Sequence, residues 1–326
     1  MMETSEFSHI VWCDLEMVLL KIHSFLPWDT KMVSTCHAPD LSKPTVNIYI
    51  CREDDDIFNN PQIYRENIMA HGSYRGHHFG RPARLKIIDD MNIALFHPDP
   101  GMIIWSLVVK YVLTVFAIQA DILHLKGTAV AHEGRAYLFL GRGGSGKTEI
   151  ARSLCHNGAR LMANTHLLVD RGSVCGVRSN VRVREGGRDV YVPPDHQYGL
   201  HAYDGWLPIG AVFWVKYRTD GRTAVERVPP RVAKANMRHF SESISNWEIK
   251  KDIADHFHSA PFAFAEHVNR TDELLNEFCE SNDIYYANLD IFSPDGMEGL
   301  MSVMKPVDAA EPLPTGVSAD PPIENS

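Results

Sequence analysis

Residues 136–153 read AYLFLGRGGSGKTEIARS. Ala136 to Leu140 is a short apolar run with strand character. Glu149 to His156 is a helix-forming run that stops at Asn157-Gly158. Between them stands Gly141-Arg142-Gly143-Gly144-Ser145-Gly146-Lys147-Thr148, a G-x-x-x-x-G-K-T turn with a strand before it and a helix after it. Each residue type has a task. The glycines let the backbone fold tightly, so that successive N–H groups point at phosphate oxygens. The helix N-terminus brings its positive dipole end to the same point. Lys147 is predicted to reach the β- and γ-phosphates, and the Thr148 hydroxyl to ligate Mg²⁺. Gly141 to Glu149 are therefore the candidate nucleotide-binding residues, ATP and Mg²⁺ the expected cofactors, and Lys147 a candidate catalytic residue.

Downstream, Ala159 to Asp170 (ARLMANTHLLVD) carries two apolar runs around Asn164-Thr165-His166, and such a strand is expected beside the one that enters the turn. Asp170 ends the run Leu167-Leu168-Val169 as the acid of a Walker-B strand would. It is a candidate for Mg²⁺ and for catalysis, against the plain reading of an acid that ends a strand. His166, Asp195 and His196 are further candidates. Arg178, Arg182, Arg184 and Arg188 form a basic segment whose Val/Arg alternation suggests a strand with one arginine face. That face suits either anion contact or charge protection of a sheet edge. Residues 193–208 are read as an irregular rim. Ala211 to Tyr217 and Thr223 to Val228 flank Thr219-Asp220-Gly221-Arg222 as a hairpin. A helical pattern runs from Pro230 to about His258. Thr271-Asp272-Glu273 reads as the cap of a helix to Cys279. Ile284 to Leu289 is a strand, and Pro294 starts a last short helix.

Upstream, Met102 to Ile118 is almost wholly apolar but holds Lys110 at its centre, so a core helix is preferred to a membrane span. Asp121 to Ala131 is read as a strand and turn, joined to the glycine-rich unit by the hairpin turn His132-Glu133-Gly134-Arg135. Residues 1–100 form a strand-rich region, with strands at Val46 to Cys51, Leu85 to Asp89 and Asn92 to Phe96. His71 to Arg81, holding His71, His77 and His78, is read as an exposed polar loop without metal-ligand spacing. Residues 305–326 are Pro-, Ala- and acid-rich and are expected to be a disordered tail.

The chain has 326 residues, 44% of them hydrophobic, and a net charge of −9. That balance argues against a nucleic-acid binder. Six scattered cysteines without a C-x-x-C pair, and an acidic, polar N-terminus unlike a signal peptide, lead to the expectation of a cytoplasmic protein with reduced thiols. The fold class expected is α/β with a mixed sheet.

The window from Ile122 to Asp170 resembles the HPr kinase/phosphorylase-like branch of the phosphoenolpyruvate-carboxykinase-type nucleotide-binding fold. Gly127-Thr128-Ala129-Val130 precedes the turn at the matching distance. Gly146-Lys147-Thr148-Glu149 matches the family's Gly-Lys-Ser/Thr-Glu, and Gly158-Ala159-Arg160-Leu161-Met162-Ala163 its Gly-x-Arg-Leu-apolar-Ala. The resemblance implies a P-loop core over 101–304 with a helical C-terminal part, a phosphotransferase activity, and self-association as in HPr kinase relatives. Two departures stand out. The family's Asp-Asp pair, metal support and base, is here Asn164-Thr165. Asn164 still offers an oxygen to a cation, which keeps it a candidate, but Thr165 is a poor proton acceptor. The family's histidine ahead of the strand pair is matched by Lys126, with His124 nearby. Two functions follow. One is an ATP-dependent kinase acting on a hydroxyl of a small molecule, peptide or protein, in regulation or natural-product tailoring. The other is a nucleotide-binding regulatory or scaffold protein without phosphoryl transfer.

Overall fold

A computed structural model describes residues 7–59, 68–70, 72–194, 203–218, 223–242 and 261–304. The expectations for Asp195, His196, the turn at 219–222, the helical pattern beyond 242 and the tail at 305–326 lie outside the described residues. The chain is mixed α/β and mostly strand.

The first sheet has seven strands: β1 (His9–Asp14), β2 (Leu19–Ser24), β3 (Thr45–Ile50), β4 (Ile68–Ala70), β5 (Ser73–His78), β6 (Arg81–Asp89) and β7 (Asn92–Phe96). Their order is β1-β2-β3-β7-β6-β5-β4. The central β2, β3 and β7 are parallel, and the flanking pairs are antiparallel. β5 corrects the reading of His71 to Arg81 as a loop. His71 itself lies outside the described residues; the buried positions of β5, Ser73 and Gly76, are too small and polar to announce a strand, and pairing with β6 from Ser73↔Lys86 to His78↔Arg81 fixes its conformation.

Helix α1 (Pro100–Gln119) follows. It contains a π-helical turn, Ile104–Val109. Length and composition would let it cross a membrane, but 72% of its apolar window is buried within the fold. Its side chains Ile103, Ile104, Val108, Val109 and Leu113 share one core with Leu20, Ile22, Ile48 and Leu95 of the first sheet. Lys110 is tolerated because Glu242, buried at 2% exposure, pairs with its ammonium at 3.2 Å.

The second sheet holds β8 (Leu123–Lys126), β9 (Thr128–His132), β10 (Arg135–Leu140), β11 (Arg160–Ala163), β12 (His166–Asp170) and β13 (Ser173–Gly176). A separate hairpin, β14 (Val181–Glu185) and β15 (Arg188–Val192), intervenes before β16 (Trp206–Tyr217), β17 (Ala224–Arg227) and β18 (Ile284–Leu289) complete the sheet. β16 is the long strand. Its first residues pair with β13, and its later ones run parallel to both β10 and β18. Helices α2 (Lys147–His156) and α5 (Pro294–Met301) share a core with one face, where Phe139 stacks on Phe213 at 5.3 Å. Helices α3 (Pro230–Met237) and α4 (Pro261–Ser281) share a core with the other.

Three expectations need correction. The strand beside β10 is not the Ala159–Asp170 segment. β10 lies between β9 and β16, because the tight turn at Glu133 and Gly134, both at positive φ, folds β9 back first. β16 and β17 do not pair as a hairpin, since β18 inserts between them, parallel to one and antiparallel to the other. Thr271 does not cap a helix. It sits inside α4 and returns its hydroxyl to the His267 carbonyl at 2.9 Å.

Candidate functional site

β10, β16 and β18 are parallel, so their carboxyl ends open on one side of the sheet. Crevices outside such ends are where open α/β sheets bind ligands. The glycine-rich turn leaves β10 at this edge. Gly144 and Gly146 adopt φ of 79° and 87°, conformations closed to most side chains. A Cβ on Gly141 would stand 2.6 Å from the Ser145 hydroxyl and 2.7 Å from the Val215 carbonyl, and one on Gly146 2.7 Å from Ile291 Cδ1. The turn is thus packed from below by β16 and from the side by Ile291, two residues past the end of β18. Gly143 and Gly144 have open space above them.

Lys147 begins α2. Its ammonium donates to the carbonyls of Gly141 (2.8 Å) and Arg142 (2.9 Å) and to the Ser145 hydroxyl (3.3 Å). Burial, and after it the charge of Lys126, lower its pKa to about 8. All three acceptors are neutral oxygens.

Thr148, one residue on, donates its hydroxyl to Asn164 Oδ1 at 3.0 Å. Asn164 is held in turn. The buried Thr128 hydroxyl donates to its backbone carbonyl at 3.3 Å, and the Gly127 N–H donates to the Thr165 carbonyl at 2.9 Å. Two oxygens 3.0 Å apart match neighbouring corners of a Mg²⁺ octahedron, whose edge is about 3.0 Å for oxygens at about 2.1 Å. That is also an ordinary hydrogen-bond length; these are the two side-chain oxygens here that could be offered to a cation. Both are neutral, so the ion's charge would be balanced by phosphate. Among the described residues no group of three or more His, Cys, Asp or Glu could hold a metal by itself.

Behind Asn164 and Thr165 lies a buried histidine pair. The Thr114 hydroxyl donates to the Lys110 carbonyl at 2.7 Å, so its oxygen accepts from His124 Nδ1 at 3.2 Å. His124 Nε2 is then left to accept from His166 Nδ1 at 3.0 Å. Both rings are neutral in this chain. Burial lowers His124 to about 3, with Lys110 adding to it. It lowers His166 well below its ordinary value, helped by the neighbouring His124 and by the charges of Lys126 and Lys110.

The structure thus brings Lys147, Thr148 and Asn164 together, with Lys126 at the end of β8 close enough to act on Lys147. It does not bring Asp170 to the turn. Asn164 lies at the start of the β12 segment, and Asp170 is four residues past His166, about 13 Å along the strand. There it enters the turn to β13 and pairs with Arg171 at 3.7 Å. Glu149 is exposed and faces Arg152 at 3.8 Å. Of the basic segment, Arg182 pairs with Asp189 and Arg178 with Asp204, each at 3.6 Å on the surface. The inward valine Val181 is fully buried.

Sequence reading missed the residues after β18. Asp290, Ile291 and Phe292 follow its carboxyl end; Asp290 accepts the Phe292 N–H at 3.2 Å. Phe292 is 73% exposed and meets the Tyr217 ring edge-on at 6.0 Å. No local pattern marks them. The parallel placement of β18 beside β16 sets Ile291 against Gly146 of the turn. No family model matches the chain, and no curated protein matches it.

Proposed function

We propose that the chain is a phosphotransferase of the HPr kinase/phosphorylase-like type, built on a P-loop core. It binds Mg²⁺·ATP on Gly141 to Thr148 and passes the γ-phosphoryl group to a hydroxyl of a small molecule, peptide or protein. The observation that carries this is the Thr148–Asn164 oxygen pair at 3.0 Å beside a desolvated Lys147. Lys147 would leave the Gly141 and Arg142 carbonyls for phosphate oxygens, and the turn's N–H groups would take the rest. Thr148 and Asn164 would hold Mg²⁺, which supplies charge neutralisation across the phosphates. The acceptor oxygen forms the new bond to Pγ as the bond to the bridging oxygen breaks, ADP leaves, and the hydroxyl proton passes to a base or solvent. With Asn164 and Thr165 uncharged, the carboxylate best supported for that proton is Asp290, one residue from the Ile291 side chain that packs on Gly146. The exposed face of Phe292 offers a stacking surface for the base.

The absence of a carboxylate at 164 and 165 favours a second reading, nucleotide binding without transfer. Purified protein with Mg²⁺, γ-labelled ATP and cell extract as acceptor source separates the two. The kinase reading expects a labelled product that Lys147→Ala abolishes and Asp290→Asn diminishes. Calorimetric nucleotide binding with no labelled product from any extract would leave the second reading standing.

A further inference from the structure

We propose that Lys126 recognises the terminal phosphate of the nucleotide, so that the site selects a nucleoside triphosphate over a diphosphate. The inference rests on the phosphate-binding reading of the glycine-rich turn and adds to it a residue from another part of the chain.

Lys126 is the last residue of β8. It is exposed, whereas Leu123, His124 and Leu125 ahead of it are buried. The chain then bends at Gly127. A Cβ there would run into Leu140 Cδ2 and stand 3.1 Å from the Phe139 carbonyl. The backbone after Lys126 therefore lies directly on the end of β10, where the glycine-rich turn departs. Pairing across the strands fixes what lies beside it. Lys126 is opposite His166, the Gly127 N–H donates to the Thr165 carbonyl at 2.9 Å, and the Thr128 hydroxyl donates to the Asn164 carbonyl at 3.3 Å. Residues 126–128 thus run antiparallel to 164–166. Lys126 reaches the site from the same side as Asn164, while the turn's donors and Thr148 reach it from β10 and α2.

That arrangement orders the phosphates. The turn and Lys147 take the inner ones, and a metal offered oxygens by Thr148 and Asn164 bridges β and γ. The group arriving with Asn164 then meets the γ-phosphate, which a diphosphate lacks.

The charges agree with this placement. Lys126 is near enough to Lys147 to lower its pKa. Like charges held this close cost the empty protein free energy, and an anion between them removes that cost. Neither ammonium pairs with a carboxylate among the described residues, and Asn164 and Thr165 beside them are neutral. Lys110, on the neighbouring α1, shows the contrasting solution: Glu242 pairs with it at 3.2 Å. An exposed lysine that ends a strand is by itself a solvated charge. Its place beside a second cation, at the edge of the glycine-rich turn, is what assigns it a phosphate.

The test is a calorimetric titration of the whole chain, with Mg²⁺, by ADP and by a non-hydrolysable ATP analogue. Wild type should prefer the triphosphate by about tenfold or more. Lys126→Ala should weaken the triphosphate by about tenfold and ADP by less than about twofold. Lys126→Arg, which keeps the charge, should restore most of the preference. Lys126→Gln gives the same reading if Lys126→Ala disturbs the fold. The proposal alone is overturned if Lys147→Ala abolishes nucleotide binding while Lys126→Ala weakens both nucleotides equally or weakens neither. It is also overturned if wild type binds both equally well. A wild type that binds neither nucleotide overturns the phosphate-binding reading and this proposal with it.

Discussion

Lys147 offers the sharpest test of the phosphate site, because its proton reports on what it touches. Burial holds its pKa at about 8 while it rests on the Gly141 and Arg142 carbonyls. Phosphate oxygens would stabilise the charged form and raise that pKa again. The free protein then carries the proton on about nine tenths of its molecules at about pH 7, half at about pH 8 and one tenth at about pH 9. The ligand-bound protein carries it throughout. Affinity for Mg²⁺·ATP should therefore fall by nearly tenfold from about pH 7 to about pH 9, roughly 1.3 kcal/mol. At about pH 8, binding should take up about half a proton. Titration calorimetry in two buffers of different ionisation enthalpy measures that uptake directly. Lys147→Arg, whose side chain stays charged, should flatten the pH dependence. An affinity constant over this range with no net proton uptake, or a dependence that survives in Lys147→Arg, would refute the reasoning.

Three further outcomes follow from the geometry. Asn164→Asp sets a carboxylate about 3 Å from the Thr148 hydroxyl and should lower the Mg²⁺ concentration needed for nucleotide binding by about tenfold, read from Mg²⁺ titrations at fixed nucleotide. Phe292→Ala should weaken nucleotide binding by about 1–2 kcal/mol and leave the melting temperature unchanged, as its ring is 73% exposed; an unaltered affinity would place the base elsewhere. His124, near 3 when folded and near 6.5 when unfolded, makes the unfolded chain bind more protons between those values. Stability contributed by this group is present above about pH 6.5 and is lost as pH falls below it, by about 2 kcal/mol at about pH 5. Urea titrations of wild type and of a His124→Leu/His166→Phe double variant should differ in that slope, and parallel curves would contradict it.

The candidate site is legible in the sequence where geometry is local. The glycine-rich turn announces itself because its spacing is dictated by backbone geometry, and the structure sets Gly144 and Gly146 in left-handed conformations there. The apolar helix was readable as core despite Lys110, whose partner Glu242 lies far along the chain and carries no signal of its own. What stayed hidden is long-range pairing. The strand at Ile284 was visible, but nothing near it tells that it inserts between β16 and β17, and with it the packing of Ile291 on Gly146 was lost. The acid at Asp170 misled for the same reason. A Walker-like strand end is a local pattern, whereas which end of β12 lies by the turn is set by pairing with β8 and β13. The seven-stranded first sheet was half seen, since β5 is made of Ser, Tyr, Arg, Gly and His and depends on its neighbour for its shape.

A structure of the chain with Mg²⁺ and a non-hydrolysable ATP analogue tests the central claim most directly. The account predicts that Lys147 Nζ has left the carbonyls of Gly141 and Arg142 for a phosphate oxygen, with the oxygens of Thr148 and Asn164 on the metal. A nucleotide bound away from Gly141 to Thr148, or a lysine still closed on its own turn, would contradict it.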